Sequence, residues 1–148
     1  MYLIVISKFE KIGVKKLVAK LFGKLKHEEP INVEIELTED WTKFENGNSI
    51  GKQGSEGGKI LNDQENINGA RITLEKNVGN IPFAITFGIY GLMVHTEFFS
   101  EKEIAVEYFK RKKIEINYVL KMFEAPENNQ DEEWENRKDE YLEKLVYE

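Results

Sequence analysis

The chain has 148 residues, no cysteine and a net charge of −6. Its 41% hydrophobic and 32% charged residues are typical of a globular protein and exclude a disordered tail. The absence of cysteine excludes a disulfide scaffold, a thiolate metal site and a cysteine nucleophile, and no apolar run approaches the ~18–20 residues that span a bilayer. We therefore expect one domain, residues 1–148, in the cytoplasm of a cell.

Charge is distributed unevenly along the chain. Residues 1–27 contain seven lysines and one acidic residue, whereas residues 124–148 contain ten acidic and three basic residues. Such asymmetry can mark a surface that attracts a charged partner. It can equally arise from two solvated helix faces of opposite sign, and the sequence leaves both interpretations open.

The first third of the chain predicts a strand, a helix, a second strand and a loop. Tyr2–Ile6 is rich in β-branched and aromatic residues, which favour a strand. Apolar residues then recur at helical spacing, which predicts a helix near residues 8–26. Asn32–Leu37 alternates apolar and acidic residues, as a half-buried strand does. Residues 46–58 hold five glycines and predict a long loop that is either mobile or functional.

The rest of the chain predicts a sheet followed by two helices. Lys59–Leu61 is short and precedes an Asn/Asp-rich turn at 62–69, and a hairpin turns at Tyr90–Gly91. The remaining strands and helices are predicted at Ala70–Lys76, Phe83–Ile89, Leu92–Phe99, 101–123 and 131–147. This order predicts an α+β fold, a mostly antiparallel sheet with helices from both ends of the chain packed on one face.

A core can be predicted from the apolar positions of these elements. The residues expected to be buried are Leu17, Leu21, Ile72, Leu74, Ile85, Phe87, Val94, Phe98, Tyr108, Val119 and Leu142. They follow from the period of 3.6 residues in helices and of two in strands.

Two segments resemble ligand-binding loops but lack essential residues. The glycine-rich loop contains Gly51-Lys52 and Gly58-Lys59, yet Gln53 and Ile60 stand where a phosphate loop needs Ser or Thr. The stretch from Gln64 to Glu75 has the spacing of a calcium loop, but its first ligand is Gln and its flanks predict strands. We expect neither a nucleotide nor a metal site, and no cofactor.

His95 is the candidate for acid–base chemistry. If Tyr90–Gly91 is a two-residue turn, Thr86 faces His95 and Ala84 faces Glu97. The polar residues predicted to share that sheet face are Arg71, Glu75, Thr86, His95 and Glu97. A histidine beside a carboxylate can transfer protons near neutral pH, so His95 and Glu97 are the alternative catalytic candidates. The same residues could bind a ligand, or His95 could be an ordinary half-exposed strand residue.

The lysine-rich segment near 8–26 raises the question of nucleic acid or anionic lipid as partner. The chain as a whole is acidic, and no aromatic residues alternate with these lysines. The apolar stripe of the segment is explained by packing on a sheet. We therefore expect neither nucleic acid nor membrane binding.

The stretch GARITLEKNVGNIPFAITFGIYGLMVHTEFF, residues 69–99, followed by a helix with Tyr108, resembles small bacterial α+β proteins of the immunity type found in polymorphic toxin systems. The resemblance implies a cofactor-free, non-enzymatic protein that binds and blocks a cognate toxin. It identifies no functional residue.

The acidic end of the chain offers a surface for such a partner. If the toxin has a basic substrate groove, acidic side chains near the C-terminus could bind it, and these are Glu132, Glu133, Glu135, Asp139, Glu140 and Glu143. The alternative function is a small-molecule-binding protein or enzyme that uses the polar sheet face around His95.

Overall fold

The computed structural model describes residues 31–124 and 132–147. Five strands form one antiparallel sheet in the order β1-β2-β3-β4-β5, and two helices follow. The strands are β1 (Trp41–Lys43), β2 (Lys59–Asn66), β3 (Ala70–Val78), β4 (Ile81–Ile89) and β5 (Met93–Phe99). The helices are α1 (Lys102–Phe123) and α2 (Glu132–Tyr147), so the α+β prediction is confirmed. Within the described ranges, neither helix is sufficiently long and apolar to cross a membrane.

One face of the sheet, which we call the helix face, packs against α1. Alternate residues of β3 and β4 point to that side and are fully buried, namely Ala70, Ile72, Leu74, Ile85, Phe87 and Ile89. From α1, a stripe at helical spacing meets them, formed by Ala105, Phe109, Ile116, Val119 and Leu120. Helix α2 then packs on α1 and contributes Leu145. We call the opposite side of the sheet the far face.

Most predicted elements in the described ranges are confirmed, with one large difference in β2. The two helices and the strands from residue 70 onward lie where the patterns predict them. The predicted turn at 62–69 is wrong, because β2 continues to Asn66 and only Ile67–Gly69 turn. The predicted strand Tyr2–Ile6 and helix near 8–26, with Leu17 and Leu21, lie outside the described residues. The single-domain prediction for 1–148 stays a prediction.

The register predicted for the β4–β5 hairpin is wrong by one residue. Ile89 pairs with Met93, so the loop holds three residues, Tyr90 to Leu92, instead of two. A one-residue change turns every following side chain to the other face of a sheet. Val94 and Phe98 were expected in the core, but they are exposed on the far face. The other predicted core residues in the described ranges are buried or packed against the core.

Residues 33–37 form an extended strap instead of the predicted strand. Val33 and Ile35 are buried and their neighbours are exposed, as the alternation predicts, but Leu37, which shares their phase, is exposed. One backbone bond joins Val33 N to Leu61 O at 3.0 Å. The other contacts come from side chains: Asn62 Nδ2 donates to Val33 O at 2.6 Å, and Gln64 Nε2 donates to Ile35 O at 3.1 Å. The strap therefore follows the edge of β2 without a regular ladder.

Two adjacent lysines of α1 are buried against backbone carbonyls. Lys112 Nζ donates to Leu145 O at 2.8 Å and pairs with Glu115 at 2.5 Å. Lys113 Nζ donates to Glu36 O at 2.7 Å. Burial lowers the pKa of Lys113 to about 8, because removing an ammonium group from water disfavours its charged form. These bonds tie α1 to α2 and to the strap.

Candidate functional site

Arg71 and Asp63 form the central ion pair of the far face. Nε and Nη2 of Arg71 donate to the two carboxylate oxygens of Asp63 at 2.9 and 2.7 Å. These hydrogen bonds raise the pKa of Arg71, against the opposing effect of burial. The guanidinium carbon also lies 3.5 Å from the ring centre of Phe44. This bidentate geometry fixes the side chain firmly, because two parallel bonds and a stacked ring allow little rotation.

The carboxylate of Glu75 anchors the glycine-rich loop to the far face. Glu75 is fully buried, and it accepts bonds from Gly58 N at 2.9 Å, Glu56 N at 3.3 Å and Ser55 Oγ at 3.4 Å. Backbone donors aimed at one carboxylate form a compact anion-binding loop. Here the anion belongs to the protein, so the loop that resembles a phosphate loop already holds an internal acceptor.

Two glycines allow this close approach. A Cβ atom on Gly54 would lie 2.1 Å from the carboxylate carbon of Glu75, and one on Gly58 would lie 2.6 Å from the carbonyl oxygen of Lys76. Neither distance is sterically possible. Gly54 and Gly58 are therefore required by packing over Glu75 and Lys76.

A chain of hydrogen bonds links the loop to strands β4 and β5. Thr96 Oγ1 donates to Glu56 Oε1 at 3.1 Å, and Thr86 Oγ1 lies 2.9 Å from Thr96 Oγ1. A hydroxyl has one proton, and Thr96 gives its proton to Glu56. Thr86 is therefore the donor to Thr96, and the hydroxyl oxygen of Thr86 can still accept a hydrogen bond.

A cavity of about 630 Å³ lies between the glycine-rich loop and the β4–β5 hairpin. Gln53 and Ser55 line it from the loop, and Arg71, Thr73 and Thr86 line it from the sheet. Of the described residues that line it, only Arg71 carries a charge. This volume is in the range of ligand-binding pockets.

Tyr90 lies at the hairpin end of the cavity. Its hydroxyl donates to Glu65 at 2.6 Å. Burial, followed by this hydrogen bond, raises the pKa of Tyr90 to about 12. Tyr90 is therefore neutral at any physiological pH, and its hydroxyl proton is donated to Glu65.

The five polar residues predicted to share one face do not lie together. Arg71, Glu75 and Thr86 are on the far face, but His95 and Glu97 are on the helix face because of the three-residue turn. Thr86 pairs with Thr96, and His95 pairs with Phe87. Neither His95 nor Glu97 lines the cavity. The prediction that these five residues share one face around His95 is therefore wrong, whereas the catalytic role of His95 and Glu97 stays a prediction.

His95 and Glu97 instead contact each other and the aromatic residues near α1. His95 Nε2 lies 3.3 Å from Glu97 Oε2, and its ring lies edge-on to Phe87 at 5.6 Å between ring centres. Burial and then Glu97 raise the pKa of Tyr108 to about 12. In the part of the chain that the structure describes, no three His, Asp or Glu side chains cluster closely enough to hold a metal ion.

The predicted acidic surface lies on α2. All six candidate side chains are exposed, and they are Glu132, Glu133, Glu135, Asp139, Glu140 and Glu143. Two of them pair with lysines of the same helix, Glu135 with Lys138 at 3.3 Å and Glu140 with Lys144 at 2.9 Å. Because α2 packs on α1, this surface and the far face lie on opposite sides of the sheet.

Sequence reasoning missed Asp63 and Glu56, which organise the far face. Both were assigned to irregular segments, where alternation carries no information. The signal for Asp63 was present in the regular polar series Asn62, Gln64 and Asn66, which has the period of a strand. These three amides point to the helix face, so Asp63 must point to the other.

No protein-family model, curated protein or solved structure matches this chain.

Proposed function

We propose that this protein is a non-catalytic binding protein of the immunity type, which binds a protein toxin and blocks it. The support from sequence is the resemblance of residues 69–99 to such proteins. The observation that carries the proposal is an exposed apolar surface on β5, the last strand of the sheet among the described residues, and on the turn before it. We call it the β5 surface and define it as Leu92, Val94 and Phe98.

The β5 surface consists of three large apolar side chains that are exposed. Its side chains are 47%, 75% and 45% exposed, in that order. Val94 and Phe98 project from the far face, and β5 is the last strand in the order of the strands that the structure describes. An apolar patch on an edge strand is costly to leave in water and is typical of a surface that a partner covers.

The acidic surface on α2 has a different role in this proposal. It lies on the opposite side of the sheet from the β5 surface, so one small partner does not contact both. Its charge instead attracts a basic partner over a distance and speeds association, an effect that salt screens. The occupant of the β5 surface is thus a basic toxin domain.

Direct titration tests the proposal. The probe is the protein encoded by the gene adjacent to this one, and binding is measured by surface plasmon resonance. Replacing Val94 and Phe98 together by Thr keeps the strand preference but removes apolar area. We expect at least a tenfold loss of affinity, mostly through faster dissociation.

A matched control changes two equally exposed apolar residues elsewhere. Ile114 and Tyr118 on α1 are 69% and 57% exposed, and replacing both by Gln should change affinity less than twofold. The proposal is wrong if the neighbouring protein does not bind, or if the control pair weakens binding as much as the β5 pair.

A further inference from the structure

The hydroxyl groups that line the far-face cavity belong to Ser55, Thr73, Thr86 and Tyr90. Three of them donate directly to a carboxylate, which has no proton to give in return. These contacts are Ser55 to Glu75 at 3.4 Å, Thr73 to Asp63 at 3.3 Å and Tyr90 to Glu65 at 2.6 Å. The direction of all three hydrogen bonds is therefore fixed.

The fourth hydroxyl, that of Thr86, is fixed in the same way through a neighbour. Thr96 gives its proton to Glu56, so Thr86 gives its own to Thr96. A hydroxyl has one proton and two lone pairs. Any hydrogen bond between a ligand and these four groups is therefore one that the ligand donates.

The charges behind the cavity wall are mostly negative. Arg71 is the charged residue that lines the cavity, and its charge is balanced by the bidentate contact with Asp63. The carboxylates that remain, each one or two hydrogen bonds behind a lining hydroxyl, are those of Glu56, Glu65 and Glu75. Lys52 and Lys59 line a separate depression of the surface. The potential in the cavity therefore favours a cation.

Apolar side chains form much of the remaining wall. Ile60 contributes from β2, and Leu92 and Val94 contribute from the β4–β5 hairpin beside the ring of Tyr90. The volume of about 630 Å³ is large enough for an aromatic ring on a short chain. The cavity thus combines apolar walls, accepting hydroxyls and a negative surrounding.

We propose that this cavity binds a primary amine in its protonated form, carried on an apolar body. An ammonium group brings a positive charge and three N–H donors, which match the accepting hydroxyls and the carboxylates behind them. A carboxylate or phosphate brings neither. The same group is found on free small amines and on lysine side chains, and the proposal does not depend on the protein being of the immunity type.

Four small probes separate charge from hydrogen bonding. Phenethylammonium has both, its N,N,N-trimethyl derivative has the charge without N–H, 2-phenylethanol is neutral, and 3-phenylpropanoate is negative. Calorimetry measures binding to the full chain, and ¹⁵N chemical shifts of Thr73, Thr86 and Gly88 locate it. We expect phenethylammonium to bind roughly tenfold more tightly than each of the other three. Nα-acetyl-lysine methylamide tests a lysine side chain as the source.

Two variants test the named groups. Thr86→Val removes an acceptor, so it should lower the affinity for phenethylammonium about threefold and leave that for the trimethyl derivative unchanged. Glu65→Gln removes a charge and should lower the affinities for both cations about threefold. The matched controls, Thr38→Val and Glu103→Gln at exposed positions, should change neither.

The proposal is overturned if neither phenethylammonium nor Nα-acetyl-lysine methylamide shifts the cavity resonances at millimolar concentration. It is also overturned if the trimethyl derivative, the alcohol or the carboxylate binds as tightly as phenethylammonium, or if folded Glu65→Gln protein binds both cations as wild type does. Tighter binding of the lysine probe assigns the site to a polypeptide, and tighter binding of phenethylammonium assigns it to a small molecule.

Discussion

The two faces of the sheet are stabilised by different physics. The helix face buries aliphatic and aromatic side chains against α1, where area removed from water dominates the free energy. The far face is covered by a loop that has few apolar side chains. Its backbone donates hydrogen bonds to Glu75, and its Glu56 accepts one from Thr96. The first face determines whether the protein folds. The second determines whether a cavity exists, and changes there should leave the fold intact.

The largest expected loss of stability comes from the helix face. Phe109→Ala removes a fully buried ring from the centre of the core and should lower the free energy of unfolding by about 3–5 kcal/mol. Chemical denaturation followed by circular dichroism measures this. A loss below ~1 kcal/mol would show that α1 does not form the main core contact.

The far face should respond through its loop. Glu75→Gln places an amide N–H where Gly58 N or Glu56 N now donates, so at least one donor loses its acceptor. We expect a loss of about 2 kcal/mol, together with faster hydrogen exchange at Glu56 and Gly58. Glu103→Gln, at an exposed position of α1, is the control. Unchanged exchange at both amides would contradict the anchoring role of Glu75.

Lys113, Tyr90 and Tyr108 make the free energy of unfolding depend on pH, and it rises over one pH range and falls over another. The pKa of Lys113 is lowered to about 8, so between pH 8 and 10 the unfolded chain holds a proton that the folded chain has lost, and stability rises with pH. The pKa values of Tyr90 and Tyr108 are raised to about 12, so above pH 10 the folded chain keeps protons that the unfolded chain loses, and stability falls.

Thermal or urea unfolding across this range checks both signs. The rise between pH 8 and 9.5 should amount to about 1 kcal/mol. Lys113→Met should flatten the rise and leave the fall above pH 10 unchanged. A rise of equal size in Lys113→Met would show that another group causes it.

The smallest effect concerns the acidic surface, which lies on the side of the helices. Replacing its six acids by the corresponding amides should slow association with the adjacent gene product about fivefold at low salt, without changing the dissociation rate. Stopped-flow mixing at low and high salt measures this. If the replacements alter dissociation more than association, α2 itself contacts the partner and the role given to the β5 surface is wrong.

The sequence predicted the layers of this fold better than it predicted the site. Periodic patterns located α1, α2 and most strands, because burial on one face imposes a period on the residues. The prediction of which β5 side chains lie on the far face depended on the number of residues in the turn after Ile89. Gly91 has a φ of +75°, which a two-residue turn and the observed three-residue turn both accommodate. His95 and Glu97 were therefore assigned to the wrong side.

Other residues escaped prediction because their partners are distant in sequence. Glu75 was correctly placed among the polar residues of its strand face, but its role depends on backbone N–H groups 17 and 19 residues earlier. Lys112 and Lys113 are charged, and the carbonyls that accept from them when buried, those of Leu145 and Glu36, lie 33 and 77 residues away along the chain.

The strap at residues 33–37 has a consequence for genetics. Most chain segments are fastened by main-chain hydrogen bonds, which a substitution other than proline does not delete. The carbonyls of Val33, Ile35 and Glu36 are instead bound by the side chains of Asn62, Gln64 and Lys113. Each attachment can be removed by changing one codon outside the strap, so loosening of this segment can be selected for in small, separate steps.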